Sequence, residues 1–208
     1  TEGRGRRGRR FDSRPGLGVW STTHLDAPPD PADAPRLSLV AALAVAAAVE
    51  ELGGVRPALK WPNDVLLRGR KVCGVLVEAR SVGGRVYPVA GIGLNVHHRA
   101  EDFPPEIRDL AGGLEEIGGR RQDRSRVLAT VLRRLEEVLE EDRAGALDLP
   151  ARFGALDALR DRPVELRERD GVRTGVARGI DAEGRLRLEA DGRVTPVRGG
   201  EVTLRAAC

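Results

Sequence analysis

The chain reads as an α+β protein: a sheet with flanking helices, followed by a small all-β region. Three observations predict this. An alanine-rich apolar stretch runs from Arg36 to Leu52, four strand-like runs follow between Ala58 and Ile92, and short glycine-punctuated strands fill the chain from Pro163 onward. The helix is signalled by Pro35 near its start, an apolar interior, and Gly53-Gly54 as a stop. Being apolar almost all round, it should lie buried against a sheet. The strand runs are Ala58–Trp61, Val65–Arg68, Val72–Arg80 and Arg85–Ile92, with turns at 62–64, 69–70 and 82–84.

Residues 97–122 read as an irregular connection with one helical turn at 106–110. A second helix follows, because Val127, Leu128, Val131, Leu132, Leu135, Val138 and Leu139 recur at helical spacing. Its other face, with Arg133, Arg134, Glu136, Glu137, Glu140 and Glu141, reads as a solvated surface. A shorter helix is expected over 149–159. From 163 on, glycines at 171, 175, 179, 184, 192 and 199–200 mark turns between short strands, which suits a small antiparallel barrel. The boundary between the regions falls near 160–162, giving units of 1–160 and 161–208.

Three short motifs carry the chemistry. The first is Lys60-Trp61-Pro62-Asn63-Asp64, which sets a lysine at the edge of a proline-led turn. Lys60 and Lys71 are the only lysines among 35 basic residues. A chain that writes its other positive charges as Arg has reason to keep a compact ammonium where Lys stands, although a solvated hairpin lysine would look the same in these five residues. The second motif opens the chain, with glycine and arginine interleaved from Gly3 to Arg10. Such a backbone can fold closely round an anion while guanidinium forks donate to it. Residues 1–10 hold five Arg and one Glu, a net +4 in a chain of net +3, so the remainder sums to −1. The basicity is local, which favours a small anionic ligand over a long nucleic acid. The third motif, Gly91-Ile92-Gly93-Leu94-Asn95, ends a strand with two glycines that admit close approach and an amide that suits a purine edge.

With 208 residues and 40% hydrophobic content the chain can bury a core. Aromatics are only 3%, so aliphatic residues and alanine must fill it. Cys73 and Cys208 form no disulfide framework, which points to a reducing cytoplasm, and Cys73 reads as a small buried hydrophobe. His97 and His98 read as a loop pair, without a third ligand at metal spacing. The longest apolar run, Leu37 to Val49, is too short to cross a bilayer.

Taken together and in this order, the motifs resemble the biotin–protein ligase family: Gly3 to Arg9, Lys60 to Asp64, the run Gly74 to Glu78, Gly91 to Asn95, and a terminal stretch from Arg162 to Arg205. The resemblance implies a class II synthetase-like mixed sheet flanked by helices and a small SH3-like β-barrel. It implies activation of biotin with ATP to biotinyl-5′-adenylate, then transfer to a lysine of the biotin carboxyl carrier protein domain of acetyl-CoA carboxylase. By the same resemblance, Lys60 and Arg6 are the catalytic candidates, and biotin is expected at Gly3, Arg4, Gly5, Arg6 and Lys60. ATP and the adenylate are expected at Arg9, Phe11, Asp64, Asn95 and Arg205. Asp64 could orient Lys60 or hold Mg²⁺, and Phe11 stands where the family more often has tryptophan. DNA binding is not supported in this chain, no membrane partner is expected, and a homodimer stays open. A lipoate- or octanoyl-handling ligase or transferase of related fold is the alternative. The chain begins immediately before the arginine motif, so upstream strands, a helix and a biotin-contacting segment are expected to be missing. A fragment without them is expected to bind biotin poorly and to lack ligase activity.

Overall fold

A computed structural model describes residues 3–4, 10–11, 13–26, 31–82, 85–168 and 170–204, with backbone alone at 3, 4, 10, 11, 31, 80–82, 85 and 86. Helix α1 (Ala34–Gly53) is the element round which the rest is built. It starts with a proline in its first turn and ends at Gly54, whose φ of +63° closes the cap. Leu39, Val40, Ala44, Val45, Ala48 and Val49 are among its buried residues. Ser38, the interruption in the apolar run, is tolerated because its hydroxyl donates to Ala34 O at 2.9 Å and accepts from Val77 N at 3.2 Å.

The sheet under α1 holds β3 (Gly18–His24), β4 (Pro57–Lys60), β5 (Asp64–Leu67), β6 (Arg70–Val82) and β7 (Arg85–Asn95), in the order β3-β7-β6-β5-β4. All its ladders are antiparallel; the parallel pairing of a mixed sheet is confined to isolated bridges, Leu59 with Asp157 and Lys71 with Ala111. Four strands match the expected runs within a few residues. Strand β3 was not anticipated, although its Val19, Trp20, Thr22 and Thr23 are the β-branched and aromatic types that favour a strand.

Side-chain alternation separates the two faces. Leu59, Val65, Cys73, Val75, Ile92 and Leu94 point into the core beneath α1. Their neighbours Lys60, Asp64, Gly74, Gly91, Gly93 and Asn95 therefore share the opposite face. Helix α3 (Arg124–Arg143) packs on α1, capped by Asp123, which accepts from Arg126 N at 2.8 Å. Leu132, assigned to its apolar stripe, is instead 39% exposed. The charged face is more than solvated surface: Arg133 and Arg134 both reach Glu51 of α1, each at 2.7 Å.

Helix α4 (Leu149–Gly154) is shorter than the expected 149–159. The chain leaves the helix because Leu156 O accepts from Leu59 N at 2.7 Å and Ala158 N donates to Leu59 O at 2.9 Å. Those bonds cover the outer edge of β4. Between β7 and α3, two 3-10 turns (100–102 and 105–107) and the short α2 (Leu114–Gly118) fill the irregular connection.

The second sheet comprises β8 (Pro163–Arg167), β9 (Val172–Ile180), β10 (Leu186–Ala190), β11 (Arg193–Val197) and β12 (Glu201–Leu204), in the order β11-β10-β9-β8-β12. It supplies the antiparallel β unit expected there. Gly175 and Gly179, expected at turns, both lie inside β9, and Gly179 sits where the β9–β10 register shifts, with φ of +78°. The buried residues of both sheets join in one core. Short strands β1 (Gly3–Arg4) and β2 (Arg10–Phe11) pair with each other, Gly3 with Phe11.

Candidate functional site

Register places the candidate site on the face of the first sheet opposite α1. Lys60 pairs with Asp64, Asp64 with Gly74, Gly74 with Gly93, and Gly93 with Trp20. These five residues form one row across all five strands, roughly 19 Å long at about 4.8 Å per strand. Its middle two positions are glycines, and Gly91 lies on the same face two residues along β7. The centre of the row therefore carries no side chains, while a lysine and a carboxylate stand at one end and an indole at the other.

The Lys60 end is shaped by the turn that follows it. Asn63 N donates to Lys60 O at 3.2 Å, and the Trp61–Pro62 bond is cis, with proline at the third turn position. Asn63 is tied to β6 twice: its Nδ2 donates to Val75 O at 2.6 Å, and its O accepts from Val75 N at 2.9 Å. Lys60 is half-buried. Asp64, expected to orient Lys60 or to hold Mg²⁺, is paired with Lys71, whose Nζ stands 2.6 Å from its Oδ1.

At the other end Asn95 is buried, 4% exposed, and pairs with Gly18. Trp20 lies over Gly18, since a Cβ there would come within 2.7 Å of the indole. Trp20 also meets His98 edge-on, and His98 stacks on Phe103. Among the described residues no partner is seen for the buried Trp20 Nε1. Trp20 was missed at the level of sequence, and the one available signal was a tryptophan within a short β-branched run. Of the histidine pair, His97 Nδ1 lies 2.9 Å from Glu115 Oε2. The Gln122 backbone N–H, and then His97, hold the Glu115 carboxyl below its ordinary range. Cys73 is fully buried, and burial pushes its thiol up to about 12, so it is a packing residue and not a nucleophile.

Among the other predicted site residues, Gly3, Arg4 and Phe11 are described by backbone only, in the β1–β2 pair. Gly5, Arg6, Arg9 and Arg205 lie outside the described residues. The structure thus brings Lys60, Asp64 and Asn95 onto one face. No group of three or more His, Cys, Asp or Glu at metal-binding distance occurs among the described residues, and no described helix is long and apolar enough to cross a membrane.

A glycine-cleared sheet face flanked by a lysine and an aromatic residue is an arrangement suited to a flat, anionic small molecule. Comparison with known proteins narrows the class. Residues 1–95 match the biotin/lipoate A/B protein ligase family and residues 161–205 match the biotin protein ligase C-terminal domain. The bifunctional ligase/repressor BirA of Bacillus subtilis is 33% identical over 206 residues, 98% of this chain and 63% of that protein. The biotin–[acetyl-CoA-carboxylase] ligase of Mycobacterium tuberculosis is 37% identical over 170 residues, 80% of this chain and 61% of that protein. The structure of the Aquifex aeolicus biotin protein ligase in complex with biotin and ATP superposes with a TM-score of 0.82 at 31% identity, covering 98% of this chain and 84% of that one. The chain belongs to the biotin protein ligase family. It spans less than two thirds of the length of the curated relatives it matches.

Proposed function

We propose that this chain carries the catalytic region of an ATP-dependent biotin–protein ligase, with residues 1–160 binding biotin and ATP and residues 161–208 forming a C-terminal unit. The observation that carries this reading is the row from Lys60 to Trp20, cleared by Gly74 and Gly93, in a chain whose relatives are biotin protein ligases.

In the first step a biotin carboxylate oxygen attacks the α-phosphorus of ATP. The bond to the bridging oxygen breaks, and pyrophosphate leaves. The carboxylate is already ionised at neutral pH, so the step needs no base. Its barrier comes from bringing two anions together in line, which positive charge and close positioning lower. Lys60 meets that need from the end of β4, placed between the carboxylate and the α-phosphate, with Arg6 beside it. The β1–β2 pair brings the ends of the glycine–arginine segment together, which supports Gly3, Arg4 and Gly5 as biotin contacts and Arg9 and Phe11 as adenylate contacts. Asn95 is proposed for the adenine edge and Arg205 for the phosphates.

In the second step the neutral amine of an acceptor lysine attacks the anhydride carbonyl; the bond from that carbon to the phosphate oxygen breaks, AMP leaves with the phosphate charge, and the nitrogen loses one proton as the amide forms. The biotin carboxyl carrier domain of acetyl-CoA carboxylase is the proposed acceptor, in the cytoplasm. Mg²⁺ would accompany ATP, and Asp64, paired through Oδ1 with Lys71, is the carboxylate that would meet it.

The test is pyrophosphate release by the intact protein with biotin and ATP, run beside lipoate and octanoate with ATP. Release with biotin alone is expected. Release with lipoate or octanoate but not biotin would replace this reading with the related acyl ligase.

A further inference from the structure

Lys60 owes its position to two sheets. On one side Asn63 ties the turn to β6. On the other, the next residue, Trp61, reaches into the second sheet: its Nε1 donates to Gly184 O at 3.0 Å, across 123 residues of sequence. The ring is 2% exposed.

The receiving turn, 181–185, joins β9 to β10 and is closed on itself. Gly184 N donates to Asp181 O at 2.9 Å, and Asp181 N to Arg185 O at 3.0 Å. The Asp181 carboxylate accepts from Arg185 N at 2.8 Å and from Arg185 Nε at 2.7 Å. The turn also rests on α1. Arg36 Nε donates to Ala182 O at 3.3 Å, while the Arg36 guanidinium grips Asp142 of α3 with both terminal nitrogens. Gly184 has φ of +74°, and a Cβ there would stand 2.7 Å from Leu39 Cδ1. A rigid turn seated on a buried helix is a fixed point, and Trp61 is bonded to it.

We infer that Trp61 is a positioning residue, through which the β9–β10 turn of the second sheet sets where the Lys60 ammonium stands. The inference rests on the reading of Lys60 given above. Filling the core requires the ring, whereas the bond to Gly184 requires the indole N–H. A buried carbonyl left without its donor would draw the turn toward another partner. Because Trp61 follows Lys60 directly, that movement passes to the lysine backbone, and a shift of about 1 Å at a reacting centre can cost up to about a hundredfold in rate.

The experiment measures biotinyl-adenylate formation by the intact protein carrying Trp61→Phe, which keeps an aromatic ring and removes the donor, and separately Gly184→Ala, which pushes the turn off Leu39 while leaving every residue of the lysine motif unchanged. Val131→Ala, in α3 and away from the turn, supplies a variant destabilised by packing alone. All are assayed well below their melting temperatures. Both test variants are expected to lose about tenfold or more in kcat, with KM for biotin and ATP little changed, while Val131→Ala lowers Tm and leaves kcat alone. If Trp61→Phe keeps the wild-type kcat while Lys60→Ala abolishes it, the inference fails and the function stands. If the wild-type protein forms no adenylate, the functional reading fails and takes this inference with it; if Lys60→Ala is fully active, the ligase function stands while the Lys60 role, and this inference with it, fails. Should Trp61→Phe not fold, Gly184→Ala decides alone.

Discussion

Lys60 and Asp64 are direct cross-strand partners, yet the ammonium that holds the Asp64 carboxylate belongs to Lys71, 2.6 Å away on β6. The chain's two lysines thus differ in setting. Lys71 closes an ion pair, whereas Lys60 lies at the end of the glycine-cleared row.

That difference gives the first prediction. Lys60→Ala is expected to abolish biotinyl-adenylate formation with little change in Tm. Lys71→Ala should keep adenylate formation and cost at most about 1 kcal/mol, as partly exposed ion pairs do. Pyrophosphate release and thermal melting of both variants check this; equal activity loss in the two would remove the distinction between the lysines.

Arg6 is proposed to face the phosphate of the anhydride. Its replacement by Ala should loosen retention of biotinyl-adenylate, so that the reactive intermediate escapes and labels lysines of unrelated proteins. The readout is the dissociation rate of the adenylate together with streptavidin detection of a bystander protein. An unchanged dissociation rate would overturn the role.

A pH dependence is expected from Asp157, in the segment bonded along β4. Its Oδ1 accepts from Leu159 N at 2.8 Å, while its Oδ2 is buried with no partner among the described residues. Burial pushes this carboxyl above its ordinary range. With the folded pKa above the unfolded one, the folded state binds the proton more tightly, so this group's contribution is most favourable in acid and declines as pH rises through the raised pKa. Asp157→Asn keeps an acceptor for Leu159 N and removes the charge. Its Tm should exceed that of the wild type at neutral pH, with the gap closing below about pH 4. A gap independent of pH would mean that ionisation is not its cause.

Cys73 should resist alkylation in the native protein at pH 8, because burial removes access and holds the thiol protonated. Mass mapping after iodoacetamide treatment, with and without denaturant, separates it from Cys208. Rapid native labelling of Cys73 would mean that β6 opens locally.

The sequence by itself determined the helix of residues 34–53, four strands of the first sheet, and the lysine at the head of a proline turn. These are local features: apolar periodicity, capping glycine and turn chemistry act within a few residues. Tertiary structure decided what depends on register and distant contact. The β5–β6 irregularity between Val65 and Leu66 accompanies an Asp64 carboxylate held by Lys71, and no spacing rule announces it. Strand β3 forms as an edge only because β7 offers it a partner, and so brings Trp20 to the row. The end of α4 was hidden for the same reason, since residues 156–158 give up helical bonds for bonds to Leu59. The link from Trp61 to Gly184 joins two sheets across 123 residues. The local sequence says that a buried indole N–H requires an acceptor, and only the packed fold says which carbonyl supplies it.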